Sequence, residues 1–68
     1  MTFAKRLKSI RTERGLTQQK VADGVGIHRS LLTYYERGEN EPSAHTLCSM
    51  ADYFGVTTDY LLGRTDRR

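Results

Sequence analysis

The chain has a single cysteine, Cys48, which excludes an internal disulfide and supplies no cysteine spacing able to hold a metal. A reducing cytoplasm suits that composition. Its apolar runs are far too short to cross a bilayer, and the opening Met1-Thr2-Phe3-Ala4-Lys5 does not begin a secretory signal. No membrane partner is therefore expected. Nothing alternates with period two over a useful length, so no strands are expected either. Repeats, low-complexity tracts and linkers are missing. Residues 38–63 contain no lysine or arginine. With 68 residues no second, ligand-sensing domain is expected, and no small-molecule ligand or cofactor either. Chains this short bury only about 60% of their unfolded surface, so they need efficient packing or a partner subunit.

What is present begins with charge. Residues 1–37 carry Lys5, Arg6, Lys8, Arg11, Arg14, Lys20, Arg29 and Arg37 against Glu13, Asp23 and Glu36, a net +5. Residues 38–63 hold only the acids Glu39, Glu41, Asp52 and Asp59, a net −4, and residues 64–68 return +2. One basic half and one acidic half give the molecule a directional field, suited to docking one face on a polyanion.

Turn signals divide the chain into five helical pieces. Phe3, Leu7 and Ile10, spaced i, i+4, i+7, predict a first helix from about Thr2 to Arg14, stopped by Gly15. Thr17 caps a second, from Gln18 to Gly24, and a third spans Arg29 to Arg37, ending at Gly38. Glu39-Asn40-Glu41-Pro42 is a loop, and Ser43 behind it caps a fourth helix with the apolar stripe Leu47, Met50, Ala51 and Phe54. Gly55 ends that helix, and Thr57 caps a last short one through Tyr60, Leu61 and Leu62, closed by Gly63. The expected core is Leu7, Ile10, Leu16, Val21, Val25, Leu32, Leu47, Met50, Phe54, Val56 and Leu61. Residues 1–63 form one domain on this reading, with 64–68 a short basic tail.

Residues 17–38 carry the functional information. Two short helices meet at a tight glycine turn, with apolar residues at Val21, Val25, Ile27, Leu32 and Tyr35 and polar residues between them. Ala22 falls where the two helices cross, and a larger side chain there would force them apart at about 1–3 kcal/mol. Gly26 sits in the turn, where a positive φ would be costly for any residue with a Cβ. Such a helix-turn-helix buries one face and offers the other to DNA.

Arg11-x-x-x-Gly15-Leu16-Thr17-Gln18, Ala22 with Gly26, Tyr35-Glu36-Arg37-Gly38, Pro42-Ser43, and Gly55-Val56 followed by Leu61-Leu62-Gly63 carry a family likeness. In these motifs, from Phe3 to Gly63, the chain resembles the Cro/phage-repressor-like helix-turn-helix regulators, the xenobiotic-response-element family. The resemblance implies an all-α, lambda repressor-like bundle of five helices whose third helix enters the major groove of double-stranded DNA. It implies DNA contacts by Gln18, His28, Arg29, Ser30, Thr33 and Tyr34. It also implies an ion pair between Arg11 and Glu36 tying the first helix to the end of the third. The residue types agree: each of that pair is a charge on an apolar-facing edge, and a buried charge needs a partner.

Arg29 can fork onto guanine O6 and N7, a contact worth about 1–3 kcal/mol of discrimination, or can grip phosphate instead. Ser30 and Thr33 can reach base edges or phosphate, and Tyr34 can press on a thymine methyl or pack against Leu31. Arg37 completes the basic set. Two positions depart from the family pattern. His28 stands where a Ser or Thr cap is usual, so the cap is weaker or the imidazole supplies it. Facing a phosphate, it would tighten binding on protonation. Lys20 stands where a glutamate would complete a capping box, giving up a few tenths of a kcal/mol in exchange for reach toward a phosphate.

A single recognition helix covers few base pairs, so a homodimer on a palindrome is expected, with Tyr53, Val56, Tyr60 and Leu62 as candidate dimer surface. The leading reading is a cytoplasmic, nucleoid-associated repressor of prokaryotic or phage type. Antitoxins and restriction-modification controllers share the fold, and a protein-interaction module without DNA binding is the reading from another class. Enzymatic activity is not expected, because His28, His45 and Cys48 make no nucleophile–base spacing. His45 and Cys48, three residues apart, are too few ligands for a metal site.

Overall fold

The computed structural model describes residues 2–68; Met1, first residue of the expected 1–63 unit, lies outside them. Five helices follow in order: α1 (Thr2–Glu13), α2 (Gln18–Val25), α3 (Arg29–Glu36), α4 (Ala44–Phe54) and α5 (Thr58–Leu62), with no strand among the described residues. Boundaries differ from the sequence expectation by a residue at a time. α1 stops at Glu13, α2 runs on to Val25, and Arg37 caps α3 without joining it.

Side chains begin three of these helices as expected. The hydroxyls of Thr17, Ser43 and Thr57 accept from the backbone N–H of Lys20 (3.1 Å), Thr46 (3.2 Å) and Tyr60 (3.0 Å). Each satisfies a donor that has no partner within its own helix. His28, at the start of α3, has the extended backbone of a cap but makes no side-chain cap bond. The imidazole therefore does not supply the cap, and α3 starts less well held than its neighbours. Gly26 has φ +89° and donates its N–H to Ala22 O at 2.8 Å, closing α2 in a left-handed conformation that penalises a Cβ.

α1 is the central support, packing on both α3 and α5, while α2 bridges α3 and α4. Phe3, Leu7 and Ile10 from α1 meet Val21 and Ala22 from α2, Leu32 and Tyr35 from α3, and Met50, Ala51 and Phe54 from α4. Ala22 is fully buried on α2, which packs on both α3 and α4. Phe3 and Tyr35 meet edge to face at 6.1 Å, and Tyr53 meets Phe54 likewise at 5.1 Å. Burying a leucine, isoleucine or phenylalanine contributes about 1.5–3 kcal/mol, so this one cluster carries the fold. Leu16, Val25 and Leu47, expected in the core, are only partly buried and pack on its rim. Leu16 lies in the α1–α2 turn and Val25 ends α2, where the chain is already leaving the interior.

Val56, expected both in the core and on the dimer surface, takes its place in the core, and so does Tyr60, expected only on that surface. Val56 and Tyr60 are 9% and 7% exposed and belong to the core cluster, so they are not available as dimer surface. The short α5 turns Tyr60 and Leu61 inward, and the guanidinium groups of Arg6 and Arg68 cover the Tyr60 ring at 4.3 and 5.2 Å. Of the four candidates Leu62 is exposed and Tyr53 is half-buried.

Candidate nucleic-acid interface

α3 buries Leu32 and Tyr35 and turns the opposite side outward. Arg29, Ser30, Tyr34 and Arg37 are exposed and Thr33 is half-buried. At spacings of i, i+1, i+4, i+5 and i+8 these five fall on one side of the helix. They line a shallow recess of about 240 Å³. An eight-residue helix is about 12 Å long, and no described residue covers the exposed side chains on its outer side.

A hydrogen-bonded chain sets the angle of that helix. Arg11 donates from Nε to Glu36 Oε2 at 2.6 Å and from Nη2 to Glu36 Oε1 at 3.0 Å, while its Nη1 holds Leu16 O at 2.9 Å. Gln18 Nε2 donates to Glu36 Oε1 at 3.2 Å, and Thr33 Oγ1 lies within bonding distance of Gln18 Oε1 (3.2 Å) and Arg29 O (3.1 Å). The Arg11 and Glu36 side chains are only 13% and 4% exposed. The bidentate bond to Glu36 holds the guanidinium pKa above its usual value, outweighing the opposing effect of desolvation. Four side chains thus tie the end of α1, the start of α2 and both ends of α3 into one unit. The Gln18 amide has a second N–H, which this network leaves free.

A second, deeper cleft of about 410 Å³ lies between α1 and α3, lined by Lys8, Arg11, Gln18, Arg29, Thr33, Glu36 and Arg37. Glu36 is neutralised by Arg11, whereas Lys8, Arg29 and Arg37 have no ion-pair partner among the described residues. The cleft is therefore cationic.

Of the expected contact residues, Arg29, Ser30, Thr33, Tyr34 and Arg37 share the outer recess, and Gln18 joins Arg29, Thr33 and Arg37 in the cleft. Lys20 and His28 are exposed but line neither. Lys8 is the member of the cleft that sequence reasoning misses. Its place three residues before Arg11 on α1 is the only sequence signal it offers, and that spacing means little until α1 is known to cross α3. The 64–68 segment is less free than its charge suggests. Arg68 makes two 2.6 Å bonds to Glu13, Arg64 lies 3.6 Å from Asp59, and Arg6 pairs with Asp66. His45 and Cys48 are exposed, and the described residues contain no cluster of three metal-ligating side chains. No helix among them is long and apolar enough to cross a membrane.

The family model described as "Helix-turn-helix" matches residues 7–61. The chain is 44% identical over 63 residues to the SPbeta prophage-derived HTH-type transcriptional regulator YonR of Bacillus subtilis (strain 168), covering 93% of this chain and 58% of that protein. It spans about half to three-fifths of the curated relatives it matches first, at 58%, 52% and 52% of their lengths. Among solved structures it is similar to the restriction-modification controller protein C.AhdI from Aeromonas hydrophila. That match has a TM-score of 0.83 and 30% identity over 88% of this chain and 91% of that one. It is similar also to SinR, a master regulator of biofilm formation solved with DNA. There the TM-score is 0.82 and the identity 28%, over 88% and 97% of the two chains.

Proposed function

This chain belongs to the helix-turn-helix family, and on that premise we propose that it is a sequence-specific, non-enzymatic repressor of transcription that reads a palindromic operator as a homodimer. α3 lies in the major groove with its outer side toward the bases. Arg29 forks onto a guanine, Ser30, Thr33 and Tyr34 meet neighbouring base edges or a thymine methyl, and Gln18 bonds phosphate with its free N–H. Lys20 and His28 flank this set and contact backbone. The observation that carries the reading is the single exposed polar stripe of α3, fixed at its base by the Arg11–Glu36–Gln18 bonds. Such rigidity is what a site needs in order to discriminate bases.

Size supports the dimer. The longest dimension is 27 Å, while successive exposures of the major groove on one side of DNA lie about 34 Å apart. One copy therefore meets one half-site. Leu62, with the half-buried Tyr53, is what remains of the candidate apolar surface for the second copy.

Selection from random duplexes at two salt concentrations tests the proposal. An enriched palindrome whose affinity falls steeply with salt is expected, and Arg29→Ala should relax preference at one position per half-site. Binding without enrichment would reduce the protein to a nonspecific one. The likeness to a restriction-modification controller, spanning 91% of that chain, favours one narrower variant, in which the operator regulates an endonuclease gene. Mapping the selected site beside such a gene would support that variant.

A further inference from the structure

The cleft between α1 and α3 is chemically unlike the outer recess of α3. It joins α1, α3 and the start of α2, is the larger of the two, and gathers Lys8, Arg11, Arg29 and Arg37 around one acid, Glu36. The acid is already paired with Arg11. The last turns of α1 and α3 contribute partial negative charge of about half a unit each. Three cations without ion-pair partners outweigh that, so the cleft attracts a compact anion. The loop that follows does the reverse. Past the end of α3, Gly38, Glu39, Asn40 and Glu41 line an open acidic recess, and no basic residue other than histidine occurs again until Arg64.

From this asymmetry we infer that the cleft seats one phosphodiester of the DNA backbone, gripped by Lys8 from α1 and Arg37 from the C-terminal cap of α3. The α3–α4 loop meanwhile stays off the strand. The inference rests on the reading of α3 as the DNA-facing helix and adds to it an anchoring residue on α1. Lys8 lies on α1 and Arg37 caps α3, so the seated phosphate spans the two helices and sets how far α3 can enter the groove. Arg29 lines both the cleft and the outer recess, which puts the backbone contact beside the base-reading one. Lys8 then acts on affinity and register, without discriminating between bases.

The test is the salt dependence of binding to the selected duplex, with Lys8→Gln compared to the parent protein. For each phosphate left unneutralised, the slope of log affinity against log salt should become shallower by about 0.9 per subunit. Over a fourfold change in salt that shrinks the parent's loss of affinity by about 3.5-fold per subunit, or about 12-fold for the dimer. The selected base sequence should not change, Lys8→Arg should restore the slope, and the thermal midpoint should hold because Lys8 is exposed. Arg67→Gln removes the same charge from the tail and should leave the slope alone. An unaltered slope for Lys8→Gln, or an equal fall for Arg67→Gln, would overturn the inference while leaving the proposed function standing. Failure of the parent protein to bind any duplex would overturn both.

Discussion

Glu36 is the residue on which the binding surface turns. Its two carboxylate oxygens take three bonds, two from Arg11 and one from Gln18, in a site only 4% exposed. Removing Arg11 would leave a nearly buried carboxylate without its cation, which typically costs about 3 kcal/mol. A domain this small has about 5 kcal/mol of stability in total. Arg11→Ala should therefore lower the thermal midpoint by more than about 10 °C, and calorimetry would show it. A fall of only a degree or two would mean that Glu36 finds solvent. Both partners were legible in the sequence, since a charge on an apolar-facing edge advertises a need. Lys8 was not, because a lysine on a solvated helix looks like any other until the neighbouring helix is placed. Thr33 was only half legible: its hydroxyl is engaged with Gln18 and Arg29 O, so it reaches outward less freely than its spacing suggested.

At the level of elements, the helix starts were the most readable feature, because Thr17, Ser43 and Thr57 mark them by their own chemistry. α3 is the exception. His28 leaves its first turn without a side-chain acceptor, so His28→Ser should stabilise the fold by about 0.5–1 kcal/mol, measured by urea denaturation. No gain would mean the first turn is satisfied by other means. The packing of α2 on α4 was invisible in the sequence. Gly24 sits inside α2, not at its end, and a Cβ there would overlap the Tyr53 ring. Gly24→Ala should cost about 1–3 kcal/mol by overpacking, and much of that should vanish in a Tyr53→Ala background. Additive effects in the double variant would contradict direct contact. The misplacing of Tyr60 on the surface has a different cause. Periodicity is too short to define a face in a five-residue helix, and the covering arginines come from residues outside that helix.

For the molecule as a whole, the charge division proved more spatial than the linear order of charges suggested. The basic half supplies the cleft, and the 64–68 segment folds back on α1 through Arg68–Glu13 and Arg6–Asp66. The bond from Arg68 holds the Glu13 carboxyl below its ordinary value of 4.5. Because the folded value is the lower one, the tether contributes fully above pH 4.5 and is lost as pH falls through the folded value. The stability difference between the parent protein and Glu13→Gln should thus be greatest near neutrality and disappear in acid. A difference independent of pH would mean that Glu13 acts by packing alone. The most direct test of the central claim is to map backbone amide shifts by nuclear magnetic resonance as the selected duplex is added. The largest changes are expected along Arg29, Ser30, Thr33, Tyr34 and Arg37, with Lys8 and Gln18 beside them. Changes confined to α4 and α5, with the outer side of α3 unmoved, would contradict it.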